Sequence, residues 1–295
     1  MNVSAQIYQA QQRTTVQKLK FKKEIYGWED YATKTLVQQT TKIPTSFRIA
    51  TLNIWFDASF NKQRFEASLE NLRNLNPDII GLQECTKLFL EILSNNKWIQ
   101  YNYIVSDLTT CTFNGWYGVV MLVKRSRSDV QFLSFTKHDF QSKMGRALVV
   151  ANLNIGGTNI SIGSSHFESG DLDEPVRKIQ FEQSTKLLDN EASILCGDFN
   201  IVEDQRESEY LKNELQWNDA FINFVVTPDI DGSTFGIYQP KPVSKRRLDR
   251  VLFKNLTIGS IFNFGSLINV RDIDDKESFI YPSDHLGVFC IFTTK

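Results

Sequence analysis

The rhythm of polar and apolar positions changes near Phe47. Before it, Met1 to Ser46 is rich in Gln, Thr and Lys and keeps no sustained period. That composition predicts a partly disordered tail over 1–46, in which Tyr26, Trp28 and Tyr31 of "EIYGWEDY" offer a docking point. Pro44 marks the boundary. Beyond it, "FRIATLN" alternates as a strand does, and "NKQRFEASLENLRNLN" sets Phe65, Leu69 and Leu72 at helical spacing. "PDIIGLQE" is a short apolar strand opened by Pro77. Tyr117 to Val123, Ala147 to Asn152, Ile160 to Ser164 and Ile194 to Cys196 read as strands. Val176 to Leu188 reads as an amphipathic helix bearing Ile179, Phe181 and Leu187. "RLDRVLF" and "GVFCIF" are strand-like again. Strands mixed with few, well-separated helices predict an α/β fold: a four-layer sandwich of two mixed β-sheets packed face to face, with helices on the outer faces. No repeat or linker interrupts 47–295, so one catalytic-size domain is expected there.

Composition removes several classes of function. The chain has 295 residues, 41% hydrophobic and 12% aromatic with 22 Phe, which is enough for a large core. Its net charge of −1 gives no whole-surface attraction to nucleic acid, so any polyanion must meet a local patch. Cys85, Cys111, Cys196 and Cys290 lie far apart. Their spacing argues against structural zinc and against a disulfide framework. Cys85, Cys196 and Cys290 adjoin apolar runs and read as small buried hydrophobes. The N-terminus lacks an apolar signal-peptide core. No run approaches the ~18 apolar residues of a membrane span. An intracellular protein with no membrane partner is expected.

The candidate chemistry lies where the apolar runs stop. "TLN" ends on Asn53, "GLQE" on Glu84, "SSHFES" carries His166, and "GDFN" ends a buried strand with Asp198 and Asn200. "RLDR" holds Asp249, and "PSDH" puts Asp284 and His285 before the last strand. Gly, Asp and Asn are also ordinary turn residues, so "GDFN" taken alone is explained by a turn. The recurrence changes the weight, because each segment sets a ligand, acid or base at a sheet rim, where chemistry is grafted onto a rigid scaffold. Two of the three histidines fall in these segments, while His138 sits among polar neighbours and reads as a surface residue. Asn53, Glu84 and Asp284 offer hard oxygen donors, which suit Mg²⁺ or Mn²⁺ better than Zn²⁺. Asp198 can accept a proton from an attacking water that Asn200 orients. His285 beside a carboxylate such as Asp249 would be held protonated and could stabilise a pentacoordinate phosphate, with His166 doing likewise from another side.

In their order along the chain, "TLN", "GLQE", "SHFES", "GDFN", "RLDRVLF" and "SDHLGVF" resemble the endonuclease/exonuclease/phosphatase superfamily, over Phe47 to Phe292. Within it the similarity is greatest to the 5′-tyrosyl-DNA phosphodiesterases. "SSHFES" with Arg177 and Gln180, "RLDRVLFK" and "YPSDHLGVF" carry that likeness. The resemblance implies a two-sheet sandwich, a metal site at Asn53, Glu84 and Asp284, and a catalytic set of Asn53, His166, Asp198, Asn200, Asp249, Asp284 and His285, with Asp249 orienting His285. It implies Mg²⁺-dependent hydrolysis of a 5′-phosphotyrosyl bond in DNA, as in the removal of trapped topoisomerase adducts. The partner would be DNA with a 5′-tyrosyl or otherwise blocked end, bound by a monomer, with the nucleus the favoured compartment. Two segments depart from the pattern. The family's phosphate-contacting Arg after "GDFN" is absent from "IVEDQR", and its Thr-Trp-Asp segment reads "STFG", with Phe235 in the aromatic place.

Substrate contacts are expected from Trp55, Phe235, Arg246 and Arg247. Arg246 and Arg247, with Lys241, Lys245 and Arg250, precede or flank Asp249 and could meet phosphates; a solvated loop or an import signal explains them equally. Trp55 and Phe56 could stack on a sugar or base, with a core role expected for at least one of them. Trp116 and Tyr117 could line the same rim, with Tyr117 in the core. Other reactions of the superfamily, such as DNA or RNA cleavage or deadenylation, share the same motifs, and a non-catalytic binding module is the remaining class.

Overall fold

The computed structural model describes residues 42–106, 117–201, 206–224, 232–237, 244–271 and 277–295. Residues 1–41 of the expected tail, Cys111, Trp116, Lys241 and most of "IVED" lie outside the described residues, and the tail's last residue, Ser46, already opens the first strand.

Two six-stranded sheets face each other. The first has the order β11 (Leu256–Phe264), β14 (Gly287–Thr294), β1 (Ser46–Asn53), β2 (Ile79–Thr86), β4 (Tyr117–Lys124), β3 (Tyr103–Val105). The second has the order β5 (Val130–Asp139), β6 (Ala147–Ile155), β7 (Thr158–His166), β8 (Ala192–Asp198), β10 (Asp249–Lys254), β9 (Asn218–Asp219). A short hairpin, β12 (Ile268–Arg271) with β13 (Glu277–Ile280), stands apart. Each sheet contains a parallel pair, β1 with β2 and β7 with β8, and its other pairings are antiparallel. In both parallel pairs, the C-terminal ends carry the polar residues singled out above. That places Asn53, Glu84, His166 and Asp198 at one rim.

The strands read as nearly continuous apolar runs because both of their faces are covered. Ile49, Ile79, Met121, Val149, Ile162, Ile194 and Val251 turn into the space between the sheets. The alternate positions Ala50, Leu52, Ile80 and Leu122 turn outward. They meet Phe65, Leu69 and Leu72 of α1 (Asn61–Leu75), Phe89 of α2 (Lys87–Asn95) and Ile99 of α3 (Lys97–Asn102). On the other side, Leu148, Val150 and Leu195 meet Phe181 of α4 (Glu174–Leu187), Leu211 of α5 (Arg206–Asn213) and Trp217. The last short helix, α6 (Ala220–Phe224), runs alongside β10 and β11. The four-layer sandwich is therefore the observed fold.

Towards the rim the space between the sheets becomes polar. Gln83 of β2 donates from Nε2 to Thr51 Oγ1 of β1 and Ser164 Oγ of β7, both at 3.0 Å, and all three side chains are fully buried. The α4 stripe differs from expectation. Ile179 is exposed, and the buried face is Arg177, Gln180, Phe181 and Ser184. Arg177 binds Glu207 through Nε at 2.5 Å and Nη2 at 2.9 Å, while Gln180 Oε1 accepts from the Glu168 N–H at 3.0 Å. These bonds brace the "SHFES" segment from behind. His138 lies half-buried on β5, and Cys85, Cys196 and Cys290 are buried.

Candidate active site

The backbone bends at the rim in ways a strand does not. Trp55, Glu84 and Asn200 have φ of 59°, 57° and 52°. Left-handed non-glycine residues cost about 1–3 kcal/mol each and gather where a site demands them. Glu84 sits in the register shift between Leu82 and Cys85. There its Oε2 accepts the Phe56 N–H at 2.9 Å. Asn200 does not share a strand face with Asp198, because β8 stops at Asp198. Instead Asp198 Oδ1 accepts the Asn200 N–H at 3.0 Å, and Asn200 Nδ2 donates to the Phe167 carbonyl at 3.0 Å. "GDFN" is thus a turn and part of the site at once.

Asp198 is the centre of the constellation. Its Oδ2 accepts from Asn53 Nδ2 at 3.0 Å and lies 3.3 Å from His166 Nε2 and 3.8 Å from His285 Nε2. His285 Nδ1 is 2.6 Å from Asp249 Oδ2. The two sheets meet in these contacts, since Asn53 ends β1 and His285 leads into β14 of the first, while Asp198 and Asp249 belong to the second. Ser283 Oγ donates to the Asn53 carbonyl at 2.6 Å and accepts the His285 N–H at 3.1 Å. Thr234 Oγ1 accepts the Asp249 N–H at 3.1 Å. The Phe235 ring stands 5.0 Å from the His285 ring, and its backbone bridges both Arg246 and His285.

The two histidines carry different charges. Burial opposes a charged His285, but Asp249 and Asp198 outweigh it and hold the ring well above its ordinary value. Burial pushes the Asp249 carboxyl up as well, so one proton is held between the two. His166 is the reverse: burial, with help from Arg146, pushes it down to about 3. His166 is therefore neutral at physiological pH, which corrects the expectation that it acts as a second cation. Burial works against the Asp198 carboxylate, yet the cationic His285 and the Asn53 amide hold it below the usual range.

The expected cation ligands fit a hard divalent ion. Burial raises Glu84 and lifts Asp284 to about 6. Asp284 Oδ1 is buried and makes no hydrogen bond. Both are carboxylates taken out of water, Asp284 with one oxygen unpaired, and a cation supplies what they lack. Asp198, Asp249 and His285 also bring ligand atoms within 4.8 Å of one another. That cluster is a poorer cage, because the His285 nitrogen facing Asp249 shares a proton with it.

The model of the Endonuclease/Exonuclease/phosphatase family matches residues 50–285. The chain belongs to this family. Among curated proteins, Tyrosyl-DNA phosphodiesterase 2 of Xenopus laevis is 26% identical over 268 residues, covering 83% of this chain and 66% of that protein. The chain thus spans about two thirds of that relative's length. Among solved structures, D. rerio TDP2 complexed with single strand DNA product superposes with a TM-score of 0.64 at 19% identity, covering 84% of this chain and 99% of that one. An endonuclease/exonuclease/phosphatase family protein from Bacteroides thetaiotaomicron gives a TM-score of 0.68 at 16% identity, covering 86% and 99%. At these identities the superpositions establish a shared fold.

The predicted substrate contacts divide. Arg247 is 4% exposed and donates to both Asp219 oxygens, at 3.0 and 2.8 Å. It is a structural cation, which corrects its expected phosphate role: "RLDR" buries its first arginine because Asp219 on β9 lies beneath it. Arg246 is half-buried and makes no ion pair among the described residues. Trp55 is half-buried, with the Arg64 guanidinium 4.5 Å from its ring centroid, and Phe56 is exposed. Neither joins the core. Tyr117, expected in the core, is half-buried and stacks on Phe56 with centroids 5.1 Å apart. Arg146, buried beside the Tyr117 ring, was missed. "KMGRALVV" looks like a strand entry, and nothing in its spacing tells the arginine to point inward. Ser283 and Thr234 were also missed, since hydroxyls that fix a neighbour's backbone have no pattern of their own.

Proposed function

We propose that this chain is a Mg²⁺-dependent phosphodiesterase that hydrolyses 5′-phosphotyrosyl bonds in DNA and leaves a 5′-phosphate. The observation that carries it is the meeting of Asp198, His166 and the Asp249–His285 pair around one point, beside the inward oxygens of Glu84 and Asp284. The name of the Xenopus laevis relative supports the leaving group. The single-stranded product held by the D. rerio structure supports the polymer.

Asp198 is ionised at neutral pH and takes the proton of a water as its oxygen bonds to phosphorus. Asn53 Nδ2 donates to this carboxylate, and His166 Nε2 stands 3.3 Å from the same oxygen. Protonated His285, steadied by Asp249, faces the charge that grows on the phosphoryl oxygens. The bond from phosphorus to the tyrosyl oxygen breaks as the new bond forms. Asn53, Glu84 and Asp284 would hold a divalent cation, which would supply positive charge for the phosphoryl and leaving oxygens. Arg246, joined through Phe235 to His285, is the cation placed for the DNA backbone.

The test compares a 5′-phosphotyrosyl oligonucleotide, a 3′-phosphotyrosyl one and plain DNA and RNA, each with Mg²⁺ and with EDTA. Release of tyrosine from the first substrate alone, abolished by EDTA, is expected. Preferred cleavage of the unmodified strands would move the chain to the nucleases of the family. No hydrolysis of any substrate would leave a binding module.

A further inference from the structure

The start of α1 breaks local rules. Its N-cap, Phe60, lies in the left-handed region at φ 48° and supplies no side-chain cap, and the first turn holds no acidic residue. Negative charge is what a helix N-terminus favours. Instead the first turn carries Arg64 and buries it to 1% exposure. Local violations of this kind are expected where function sets the terms.

Arg64 makes no ion pair among the described residues. It spends its donors on backbone carbonyls. Nε binds Ser59 at 2.8 Å, Nη1 binds Pro282 at 3.1 Å with longer contacts to Trp55 and Ile54, and Nη2 binds Asp57. The Trp55 ring covers the guanidinium at 4.5 Å. All but one of these carbonyls belong to the loop 54–59. Pro282 is 218 residues away in sequence and two before Asp284. Both segments hold proposed cation ligands. In the loop, the Phe56 N–H fixes Glu84 Oε2 and the Trp55 N–H fixes Asn53 Oδ1 at 2.9 Å. Across from it, Asp284 follows Pro282 directly after Ser283.

We propose that Arg64 is a positioning residue for the cation site: its planar fork clamps the 54–59 loop to Pro282 and so sets the distance of Asn53 and Glu84 from Asp284. This rests on the cation site proposed above. A lysine would keep the charge, but its ammonium cannot address carbonyls of both segments in one plane. Groups that orient metal ligands from behind typically govern 10- to 100-fold in metal affinity.

The experiment measures Mn²⁺ binding by the EPR signal of free Mn²⁺, on EDTA-stripped wild type and Arg64→Lys, with thermal melts in EDTA and in Mg²⁺. Arg64→Lys should bind Mn²⁺ at least about 10-fold more weakly and gain less thermal stability from Mg²⁺, with much of its turnover recovered at saturating metal. Wild-type Mn²⁺ affinity in the variant overturns the proposal, whatever its melting temperature. A second arm needs no variant and holds even if Arg64→Lys does not fold. In the wild type, Mg²⁺ should slow amide exchange in 54–57 and in 283–285 together. Protection confined to one segment overturns the clamp. A wild type that binds no Mn²⁺ fails the cation site and this inference with it, whereas normal wild-type binding with unchanged Arg64→Lys affinity fails the inference alone.

Discussion

Gly197 sits one residue before Asp198, at φ +134°, and a Cβ built on it would lie 1.9 Å from the Ser165 carbonyl oxygen. The obstacle is backbone, paired in register, with Ser165 opposite Gly197 and His166 opposite Asp198. Gly197→Ala must therefore push β7 and β8 apart by at least about 1 Å to restore a normal contact. The backbone strain costs about 1–3 kcal/mol, and crowding adds about 1–3 kcal/mol. For a chain of this size even ~2 kcal/mol lowers the melting temperature by about 3–4 °C. The larger effect falls on the reaction, because the same displacement opens the 3.3 Å approach of His166 to Asp198. A misplacement of about 1 Å costs on the order of 10²-fold in rate. Turnover on the 5′-phosphotyrosyl oligonucleotide, measured well below the melting transition, gives the comparison. Gly163→Ala, on the paired strand β7, is the control, since the atoms nearest its Cβ are the tips of Leu148 and Leu188. That variant should cost about 1–3 kcal/mol in crowding, without the backbone strain, and leave turnover unchanged. Wild-type turnover in Gly197→Ala, or equal losses in both variants, would refute the argument from register.

Further outcomes follow from charge. Asp284 is raised to about 6 by burial, so its ionised form destabilises the metal-free fold above that pH, and the cost is relieved as pH falls towards the ordinary carboxylate range. Asp284→Asn should thus melt a few degrees higher than wild type in EDTA at pH 7.5 while losing turnover; a lower melting temperature would contradict it. His285, held well above its ordinary value, keeps its proton through neutral pH and loses it on the alkaline side. Asp249→Asn should bring that alkaline loss of activity to lower pH, and adding it to His285→Ala should cost little more than His285→Ala alone, as pH–rate profiles of the three variants would reveal. Arg246→Ala should raise KM for DNA and flatten its salt dependence. Arg247→Ala should instead lower stability by about 1.5–3 kcal/mol, because Asp219 loses two charged hydrogen bonds and keeps the more distant Arg250 at 3.7 Å, and denaturant melts separate the two.

Much of this was legible in the residues because parity and period report burial. Strands such as "GLQE" announce themselves as apolar runs, and the polar residue that stops each run is visible without knowing what faces it. The order of those stops carried the family. Conformation was not legible. Glu84 and Asn200 work from left-handed backbone that no propensity assigns to them. Charge state was not legible either. His166 and His285 look alike in the sequence, and only their neighbours, Arg146 for one and Asp249 for the other, separate them. Arg247 and Ile179 erred in opposite directions, one taken for surface and the other for core. An arginine in a basic run can find a buried acid, and an isoleucine can sit on a helix whose inner face is polar.

Most of what lies between the two sheets is Val, Ile, Leu and Phe, and greasy surfaces of that kind have many nearly equal ways to slide over each other. Gln83 bonded to Thr51 and Ser164 permits one alignment, as a lone polar residue fixes the register of a coiled coil. Each sheet brings half of the catalytic groups, so this pin works as a dowel between two machined plates. Warmed until the dowel slips, the protein would keep both plates, and its far-ultraviolet dichroism would barely change. Hydrolysis would already be gone. The working temperature of such an enzyme is then set by misalignment of two intact halves, several degrees before either half melts.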